Sequence, residues 1–225
     1  MKVSQMLVDL NLRHKRIIIM GEGEEVEARA RQFIEADAKV IVIGEKFSRT
    51  LKQLSRSKHL ELVSCNPLTS WKQLSKKYKP YAAILATTNR PFAIRIASLL
   101  RADCKPLLSA ADMPDMNDFN MPAIAKLGDV RVAISTGGLS PATTHILRKR
   151  IERTIILEDI REVQLQRIMR AKMRSQIPDP ELRRTCIYKI IRNKKIKELL
   201  QKGEFENARK LATKQVERLT RSLNM

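Results

Sequence analysis

The sequence predicts an α/β fold in which a parallel sheet is followed by a helical segment, and three observations predict it. Short runs rich in isoleucine and valine alternate with segments of helical period in the first half of the chain. A Gly-x-Gly turn, Gly21-Glu22-Gly23, follows the first of these runs. From about residue 148 onward, the apolar residues recur only at helical spacing.

The first half begins with a β-α-β unit. Residues 15–20 (KRIIIM) and 39–43 (KVIVI) are short apolar runs typical of strands that are buried on both faces. Between them, Val26, Ala30 and Phe33 fall on one helix face. Units of this kind build parallel sheets, so we expect a doubly wound, Rossmann-like sheet. Further strands are predicted at residues 60–64, 81–87, 105–110 and 130–135, and a further helix at about 90–102.

The second half is predicted to be helical. Ser140-Pro141 is typical of a helix start, with serine as the N-cap and proline at the first helical position. An apolar stripe then continues from Leu147 through Ile155 and Ile156 toward Arg174, which predicts one long helix. Later breaks and restarts are predicted at residues 175–178, Asp179-Pro180 and Gly203.

The charge of the chain is strongly positive. Its 225 residues include 44 Lys and Arg against 24 Asp and Glu, a net charge of +20. Residues 148–225 alone hold 22 basic and 10 acidic residues. This excess attracts polyanions, which include nucleic acid, an anionic membrane surface and a highly carboxylated small molecule. Charge alone does not choose among them, and a basic surface without a specific partner also remains open. Aromatic residues make up only 4%, which argues against stacking of many single-stranded bases.

The sequence gives no sign of export or of a membrane. No apolar run approaches the ~18 residues of a membrane span, and the first sixteen residues lack the apolar core of a signal peptide. The three cysteines, Cys65, Cys104 and Cys186, are scattered along the chain. We therefore expect no disulfide framework, no cysteine-built metal site and a cytoplasmic location.

The glycine turn is the first candidate for chemistry. A Gly-x-Gly turn between a strand and a helix lets the backbone approach a pyrophosphate at the helix N-terminus. Gly21 and Gly23 are in place, but Val26 fills the third position of the GxGxxG pattern. Acidic side chains here suit the helix dipole but repel phosphate unless they point outward. They are Glu22, Glu24 and Glu25. The turn thus either binds a dinucleotide or is a tight turn of a Rossmann-like scaffold.

An acidic residue follows the second predicted strand. Glu45 lies 22 residues after Gly23, where an acid accepts a hydrogen bond from a ribose 2′-hydroxyl. An acid at this place favours NAD over NADP, while an exposed loop glutamate is an equally open interpretation. Lys46 and Thr87, next to the ends of predicted strands, complete the predicted cofactor-binding set of Gly21, Gly23, Glu24, Glu25, Glu45, Lys46 and Thr87.

A more specific pattern lies between residues 104 and 151. Its pieces, in order, are Asp112, FNMPAI at residues 119–124, STGGLSP at residues 135–141 and Leu147-Arg148. In these residues and their spacing the chain resembles the precorrin-2 dehydrogenase/sirohydrochlorin ferrochelatase family, which includes the N-terminal half of siroheme synthase. The resemblance covers about residues 5–155 well and the later helices loosely. The chain departs from the family pattern at Glu22 and Ser109, where glycine and asparagine are common.

The resemblance implies an activity and a set of roles. The family transfers a hydride from precorrin-2, a tetrapyrrole with eight carboxylates, to NAD⁺ and forms sirohydrochlorin. Some members also act as a lyase, the ferrochelatase, with Fe²⁺ as a second substrate. Asp112 then handles the proton, and His145 in the following helix could assist. Ser135, Thr136, Gly137 and Gly138 would bind the substrate's carboxylates.

The resemblance and the composition together imply an architecture. We expect a Rossmann-like, NAD-binding domain at 1–112, a dimerisation segment at 113–148 and a helical domain at 149–225. The family's active site implies a homodimer. Two other classes remain open. One is a nucleic-acid-binding or regulatory protein that kept the fold, and the other is a degenerate protein that binds or delivers a tetrapyrrole.

Overall fold

The computed structural model describes residues 5–111 and 113–223, apart from the side chains of residues 219, 222 and 223. The chain divides into two compact units, Lys2–Met121 and Pro122–Met225, which we call the sheet unit and the helical unit. The three-segment division at 112/113 and 148/149 stays a prediction. Among the described residues, no helix is both long enough and apolar enough to cross a membrane.

The described part of the sheet unit contains a five-stranded sheet whose pairings are all parallel. The strand order is β3-β2-β1-β4-β5, so the order reverses beside β1. This is the doubly wound arrangement, and the predicted fold class is confirmed. The strands are β1 (Arg16–Gly21), β2 (Lys39–Gly44), β3 (Leu60–Ser64), β4 (Ala82–Ala86) and β5 (Leu107–Ala110).

Helices cover both faces of the sheet because every second side chain of a strand points to the same face. In β1, Ile17 and Ile19 join a core with Phe33, while Ile18 and Met20 join a second core on the other face. All four of these β1 side chains are completely buried. The helices of this unit are α1 (Glu24–Glu35), α2 (Arg49–Leu54), α3 (Pro67–Tyr78) and α4 (Arg90–Ala102).

The edge of β5 is covered by the segment that follows it. After a 3₁₀ turn at Pro114–Met116, the Asp118 amide donates to the Leu108 carbonyl at 2.8 Å. The Leu108 amide donates to the Asp118 carboxylate at 2.9 Å, and the Ala110 amide donates to the Asn117 side chain at 2.6 Å. These bonds satisfy backbone groups that a bare edge strand would leave open.

The helical unit begins with an antiparallel hairpin that pairs β6 (Ala123–Leu127) with β7 (Val130–Ile134). The sequence predicted β7 but not β6. The predicted helix start at Ser140-Pro141 is confirmed, because Pro141 begins α5 and the Ser140 hydroxyl accepts the Thr143 amide at 3.3 Å. The helices are α5 (Pro141–Thr154), α6 (Leu157–Gln176), α7 (Pro180–Ile191), α8 (Lys194–Gln201) and α9 (Phe205–Leu223).

One helical prediction was wrong. The apolar stripe predicted one helix from residue 141 to about 174, but the chain ends α5 at Thr154 and begins α6 at Leu157. The Ile156 amide donates to the Asp159 carboxylate at 2.9 Å, which satisfies a donor at the start of α6. The stripe is continuous in sequence because both helices have apolar faces, and the break lies between them. Helices α6 to α9 share a core that includes Leu165, Met169, Ile187 and Val216.

Candidate functional site

The Gly-x-Gly turn lies where the strand order of the sheet reverses. Gly21 ends β1 and pairs with Ala86, the last residue of β4. A Cβ on Gly21, whose φ is +144°, would lie 1.9 Å from the Ala86 carbonyl oxygen. The Glu22 amide also donates to this oxygen at 3.3 Å. Only glycine therefore allows β1 to turn this close to β4, at the point where doubly wound sheets bind ligands.

Gly23 leaves the start of α1 open. It is the N-cap residue with φ +82°, and no described side chain caps the helix there. A Cβ on Gly23 would meet no described atom within 4 Å. The other three helices of the sheet unit differ, because Ser48, Asn66 and Asn89 each cap one of them with a side-chain oxygen. The amides of the first turn of α1 are thus available to an anion.

The acidic side chains near the turn have partners of their own. Glu25 forms an ion pair with Arg29 at 2.7 Å, one helical turn later. Glu27 accepts a hydrogen bond from the Ser48 hydroxyl at 2.5 Å. These contacts hold two of the first-turn acids on the flank of α1, and Arg29 balances the negative charge of Glu25. Glu22 and Glu24 are exposed.

The remaining predicted cofactor residues follow the ends of neighbouring strands. Glu45 comes directly after β2 and is exposed, as is Lys46. The Glu45 carboxylate accepts from the Asn66 side-chain amide at 3.5 Å. Thr87 follows β4, is half-buried, and accepts the Asn89 amide at 3.1 Å. Because β2, β1 and β4 are parallel neighbours, these residues gather at the same edge of the sheet as Gly21.

This edge fits a dinucleotide. A close backbone approach at Gly21 and an open N-terminus of α1 suit a pyrophosphate. An acid held at the end of β2 suits a ribose hydroxyl, since a carboxylate accepts hydrogen bonds and cannot donate them.

Asp112, the predicted catalytic residue, lies outside the described residues. The residues on either side are in the sheet unit: the Ala111 amide donates to the Leu85 carbonyl at 3.1 Å, and Met113 is buried in the core. Asp118, six residues after Asp112 in the chain, forms an ion pair with Arg101 at 3.0 Å and also binds the β5 backbone. Asp118 is thus a structural residue. Its sequence context, an aspartate in a polar loop, does not reveal this.

The predicted substrate residues form the loop between β7 and α5 in the helical unit. The Thr136 hydroxyl accepts the Ser140 amide at 3.2 Å and lies 3.0 Å from the Thr144 hydroxyl. The Gly137 amide donates to the Ser135 hydroxyl at 3.1 Å. Gly137 and Gly138 have φ values of +63° and +83°. The hydroxyl of Thr136 therefore holds the loop from inside, whereas Ser135 is exposed.

His145, the second predicted catalytic residue, is exposed near the start of α5. Its side chain has no hydrogen-bond partner among the described residues, so neither the protein nor its burial fixes the imidazole there. Those described residues include no group of three or more His, Cys, Asp and Glu side chains that could hold a metal ion.

The fold and the open glycine turn define a Rossmann-type protein of the class that binds nicotinamide dinucleotides. A family model described as "Putative NAD(P)-binding" matches residues 8–123, which is more than half of the chain. The chain belongs to this NAD(P)-binding family. The match covers the whole described sheet unit from residue 8 onward, including the glycine turn.

Two relatives are similar to the chain over more than three quarters of its length. The chain is 27% identical over 189 residues to a precorrin-2 dehydrogenase of Methanosarcina barkeri, and the match covers 83% of each chain. It is 30% identical over 182 residues to a siroheme synthase of Methylococcus capsulatus, covering 78% of this chain but 36% of that longer protein. The resemblance found in the sequence is confirmed.

A solved structure shares the fold. "SirC, precorrin-2 dehydrogenase" matches with a TM-score of 0.73 and 16% identity, covering 95% of this chain and all of the other. At this level of identity the likeness establishes the fold alone. Coverage of nearly the whole chain means that the helices after residue 122 belong to the shared fold as well as the sheet.

Proposed function

We propose that this chain is an NAD-dependent precorrin-2 dehydrogenase. The reaction removes a hydride and a proton from precorrin-2 and yields sirohydrochlorin, NADH and H⁺. The observation that carries the proposal is the Gly21 turn against Ala86, open at the N-terminus of α1. It occurs in a chain that resembles a precorrin-2 dehydrogenase over 83% of both lengths.

The sheet unit supplies the cofactor site. Gly21 permits close backbone approach, and the first-turn amides of α1 bind the pyrophosphate. Glu45 accepts hydrogen bonds from the adenosine ribose, with Asn66 holding its carboxylate. When bound, NAD⁺ supplies the hydride acceptor. Lys46, Thr87 and Glu24 border this edge, and Glu25 is held by Arg29.

The remaining predicted residues act on the tetrapyrrole. Asp112 accepts the proton that leaves with the hydride, since a carboxylate in hydrogen-bond reach is a suitable base. His145 is exposed and is a second candidate for proton transfer. The Ser135 hydroxyl and the Gly138 amide bind substrate carboxylates, and Gly137, whose amide is held by Ser135, lets the loop turn toward them. Thr136 keeps the loop in shape. The net charge of +20 suits a substrate with eight carboxylates.

A ferrochelatase activity is a second proposal, favoured by the siroheme synthase relatives. The chain spans 36% of the Methylococcus capsulatus protein, so the activities of that whole protein do not transfer as a set. In this reaction sirohydrochlorin and Fe²⁺ give sirohaem and two protons. The tetrapyrrole nitrogens bind the iron, and Asp112 or His145 accepts a proton from them.

The direct test is anaerobic incubation of the full chain with precorrin-2 and NAD⁺. We expect NADH and sirohydrochlorin in equal amounts. Replacement Asp112→Asn keeps the size of the side chain but removes the base, and should lower kcat by about 100-fold or more. Asp115→Asn is the matched control, because Asp115 is an exposed carboxylate three residues later in the chain. A folded protein that forms no NADH would overturn the proposal.

We also propose that the enzyme is a cytoplasmic homodimer. The helical unit exposes large apolar side chains, including Leu139 (83%), Ile156 (53%) and Leu157 (65%). Ile156 and Leu157 line a surface cavity of about 670 Å³. Exposed apolar surface of this kind marks interfaces. Light scattering should give twice the chain mass, and Leu157→Glu should halve it, whereas Ile94→Glu on α4 should not.

A further inference from the structure

A short segment of the helical unit carries an unusual concentration of positive charge. Residues 182–197, from α7 to the start of α8, contain seven Lys and Arg and no Asp or Glu. The Arg183 guanidinium donates to the carbonyls of Ile177 and Pro178 at 2.7 and 2.6 Å, so it serves the fold. The other six side chains are exposed: Arg184, Lys189, Arg192, Lys194, Lys195 and Lys197.

An aromatic ring lies in the middle of these charges. Tyr188 is 47% exposed, although tyrosine usually buries much of its ring. The Arg184 and Arg192 guanidinium carbons lie 6.0 and 5.8 Å from the ring centroid. The three residues are spaced by four positions, which places them along one face of α7. The opposite face of the helix packs into the core through Cys186, Ile187 and Ile190.

The helix surface around the ring is concave. Five residues line a depression of about 500 Å³; three of them are on α7, and the other two lie in the turn between α7 and α8. They are Thr185, Tyr188, Lys189, Arg192 and Asn193. Within the part of the chain that the structure describes, Arg184 is the one cation near the ring with a carboxylate partner, that of Glu181 at 4.0 Å. Among the described residues, Lys189, Arg192 and Lys194 have no ion-pair partner, so their charge is available to a ligand.

We propose that this surface, the Tyr188 face (Arg184, Tyr188, Lys189, Arg192, Lys194 and Lys195), binds single-stranded nucleic acid. A base stacks on Tyr188, and the flanking phosphates lie against the surrounding cations. Stacking on an exposed aromatic ring within a positively charged surface is the general mode of sequence-tolerant single-strand binding. Arg184 and Arg192 are about 12 Å apart along the helix axis, enough to contact phosphates on both sides of one base. The activity is independent of the proposed dehydrogenase.

An extended polyanion explains the segment better than a compact one. Exposed basic residues continue along the chain beyond α7, at Lys194, Lys195 and Lys197. The lining of the depression runs from exposed residues of α7 into the turn that leads to α8. A chain of phosphates can follow such a path, whereas a single macrocycle would contact only its central part. The test therefore includes a polycarboxylate porphyrin as a competitor.

The test is fluorescence anisotropy of the full chain with labelled (dT)₁₂ and (rU)₁₂. The logarithm of the association constant should fall with the logarithm of salt concentration with a slope of about −3, for four neutralised phosphates. Tyr188→Ala should weaken binding about tenfold, whereas Tyr188→Phe keeps the ring and should change it less than about twofold. Arg184→Gln with Arg192→Gln should weaken binding and reduce the slope by about 1.4.

The matched control removes the same charge elsewhere. Arg150→Gln with Arg153→Gln alters two exposed arginines of α5 and should change affinity less than about twofold. Ultraviolet cross-linking provides a second measurement, with the oligonucleotide expected on a peptide that contains Tyr188. All replaced side chains are exposed, and circular dichroism verifies the fold of each variant.

Three results would overturn the proposal. One is the absence of an anisotropy change at about 50 mM salt, where electrostatic binding is strong. Another is an equal loss of oligonucleotide affinity in the double variant at Arg150 and Arg153 and in the double variant at Arg184 and Arg192. That result would mean that the net charge of the protein alone attracts the oligonucleotide. The third has two parts. Uroporphyrin, an octacarboxylate porphyrin, binds the Tyr188 face, and the oligonucleotide is cross-linked only to peptides that do not contain Tyr188. That result would assign the face to a tetrapyrrole. Dehydrogenase turnover is measured separately, and neither result decides the other.

Discussion

The carbonyl oxygen of Ala86 lies where Gly21 has no room for a side chain, only 1.9 Å from the position of a Cβ. Two adjacent parallel strands meet there, and the first of them turns toward α1. The contact ties the identity of one residue to both the fold and the cofactor site. The two glycines of the turn are therefore required for different reasons, because a Cβ on Gly23 would meet no described atom within 4 Å.

Replacement of the two glycines should have different effects. Gly21→Ala pushes a methyl group into the β4 backbone, so it should lower the free energy of unfolding by about 3 kcal/mol or more and prevent NAD⁺ binding. Gly23→Ala only imposes a left-handed conformation on alanine, at a cost of about 1–2 kcal/mol. It also places a methyl group in the space for the pyrophosphate. Urea unfolding with and without NAD⁺ measures both effects, and equal stability of Gly21→Ala and the parent would contradict the steric argument.

Glu45 should decide the cofactor preference. Its carboxylate, held by Asn66, accepts hydrogen bonds from a ribose but repels the 2′-phosphate of NADP⁺. Glu45→Gln should weaken NAD⁺ binding by about tenfold, as one charged hydrogen-bond acceptor is lost. The same replacement should also bring the affinity for NADP⁺ closer to the affinity for NAD⁺, because the negative charge that repels the 2′-phosphate is gone. Calorimetric titration of both cofactors provides the measurement, with Glu61→Gln on β3 as a control. An unchanged ratio of the NAD⁺ and NADP⁺ affinities would show that Glu45 does not contact the ribose.

Asp118 should affect stability rather than proton transfer. Asp118→Ala leaves the Leu108 amide without its carboxylate partner and removes the ion pair with Arg101. We expect a loss of about 1–3 kcal/mol in the free energy of unfolding. Asp115→Ala, in the same loop, should change it by less than about 0.5 kcal/mol. The pH profile of kcat should keep its shape in Asp118→Ala, and a shifted profile would instead assign this residue a chemical role.

The loop before α5 allows structure and binding to be separated. Thr136→Val removes a hydroxyl that accepts the Ser140 amide, so the melting temperature should fall and KM should rise together. Ser135→Ala removes an exposed hydroxyl and should raise KM for precorrin-2 while the melting temperature stays within about 2 °C. Thermal melts and initial rates on both variants test this. Equal melting temperatures would show that the Thr136 hydroxyl does not hold the loop.

The stability of the sheet unit should depend on pH through Glu61 and Tyr78. Burial raises the pKa of Glu61, but hydrogen bonds from Tyr78 and Lys77 outweigh it and hold the pKa below the ordinary value of 4.5. Burial and the hydrogen bond to Glu61 raise the pKa of the Tyr78 phenol above its ordinary value of 10.0. The Glu61 contribution is therefore present above pH 4.5 and is lost as the pH falls through the lowered pKa. That of Tyr78 is present below pH 10.0 and is lost as the pH rises through the raised pKa.

The variant Glu61→Gln provides the measurement for this pair. Glu61 is about half exposed, so its contribution should not exceed about 1 kcal/mol. Between pH 7 and pH 3, the free energy of unfolding measured with urea should fall less for Glu61→Gln than for the parent protein. Glu45 is an exposed glutamate directly after β2. Its replacement Glu45→Gln should leave the decrease in the free energy of unfolding the same as in the parent protein. An equal decrease in Glu61→Gln and the parent would show that the pair does not contribute.

The sequence by itself determined the fold of the sheet unit, because alternation of buried strands and amphipathic helices is a local pattern. The β1 residues Ile17 to Met20 are apolar at every position, and this is possible only when both faces of a strand are covered. The Ser140-Pro141 start of α5 was equally readable, since a helix cap depends on residues within one turn. The glycine turn and the spacing of the residue 112–148 pattern identified the family.

Tertiary structure decided what local pattern could not. The role of Asp118 depends on a strand ten residues earlier in the chain. Gly21 and Gly23 are equivalent in a motif, yet only one abuts β4. Backbone pairing between distant segments creates these constraints, so they are not visible until the chain has folded.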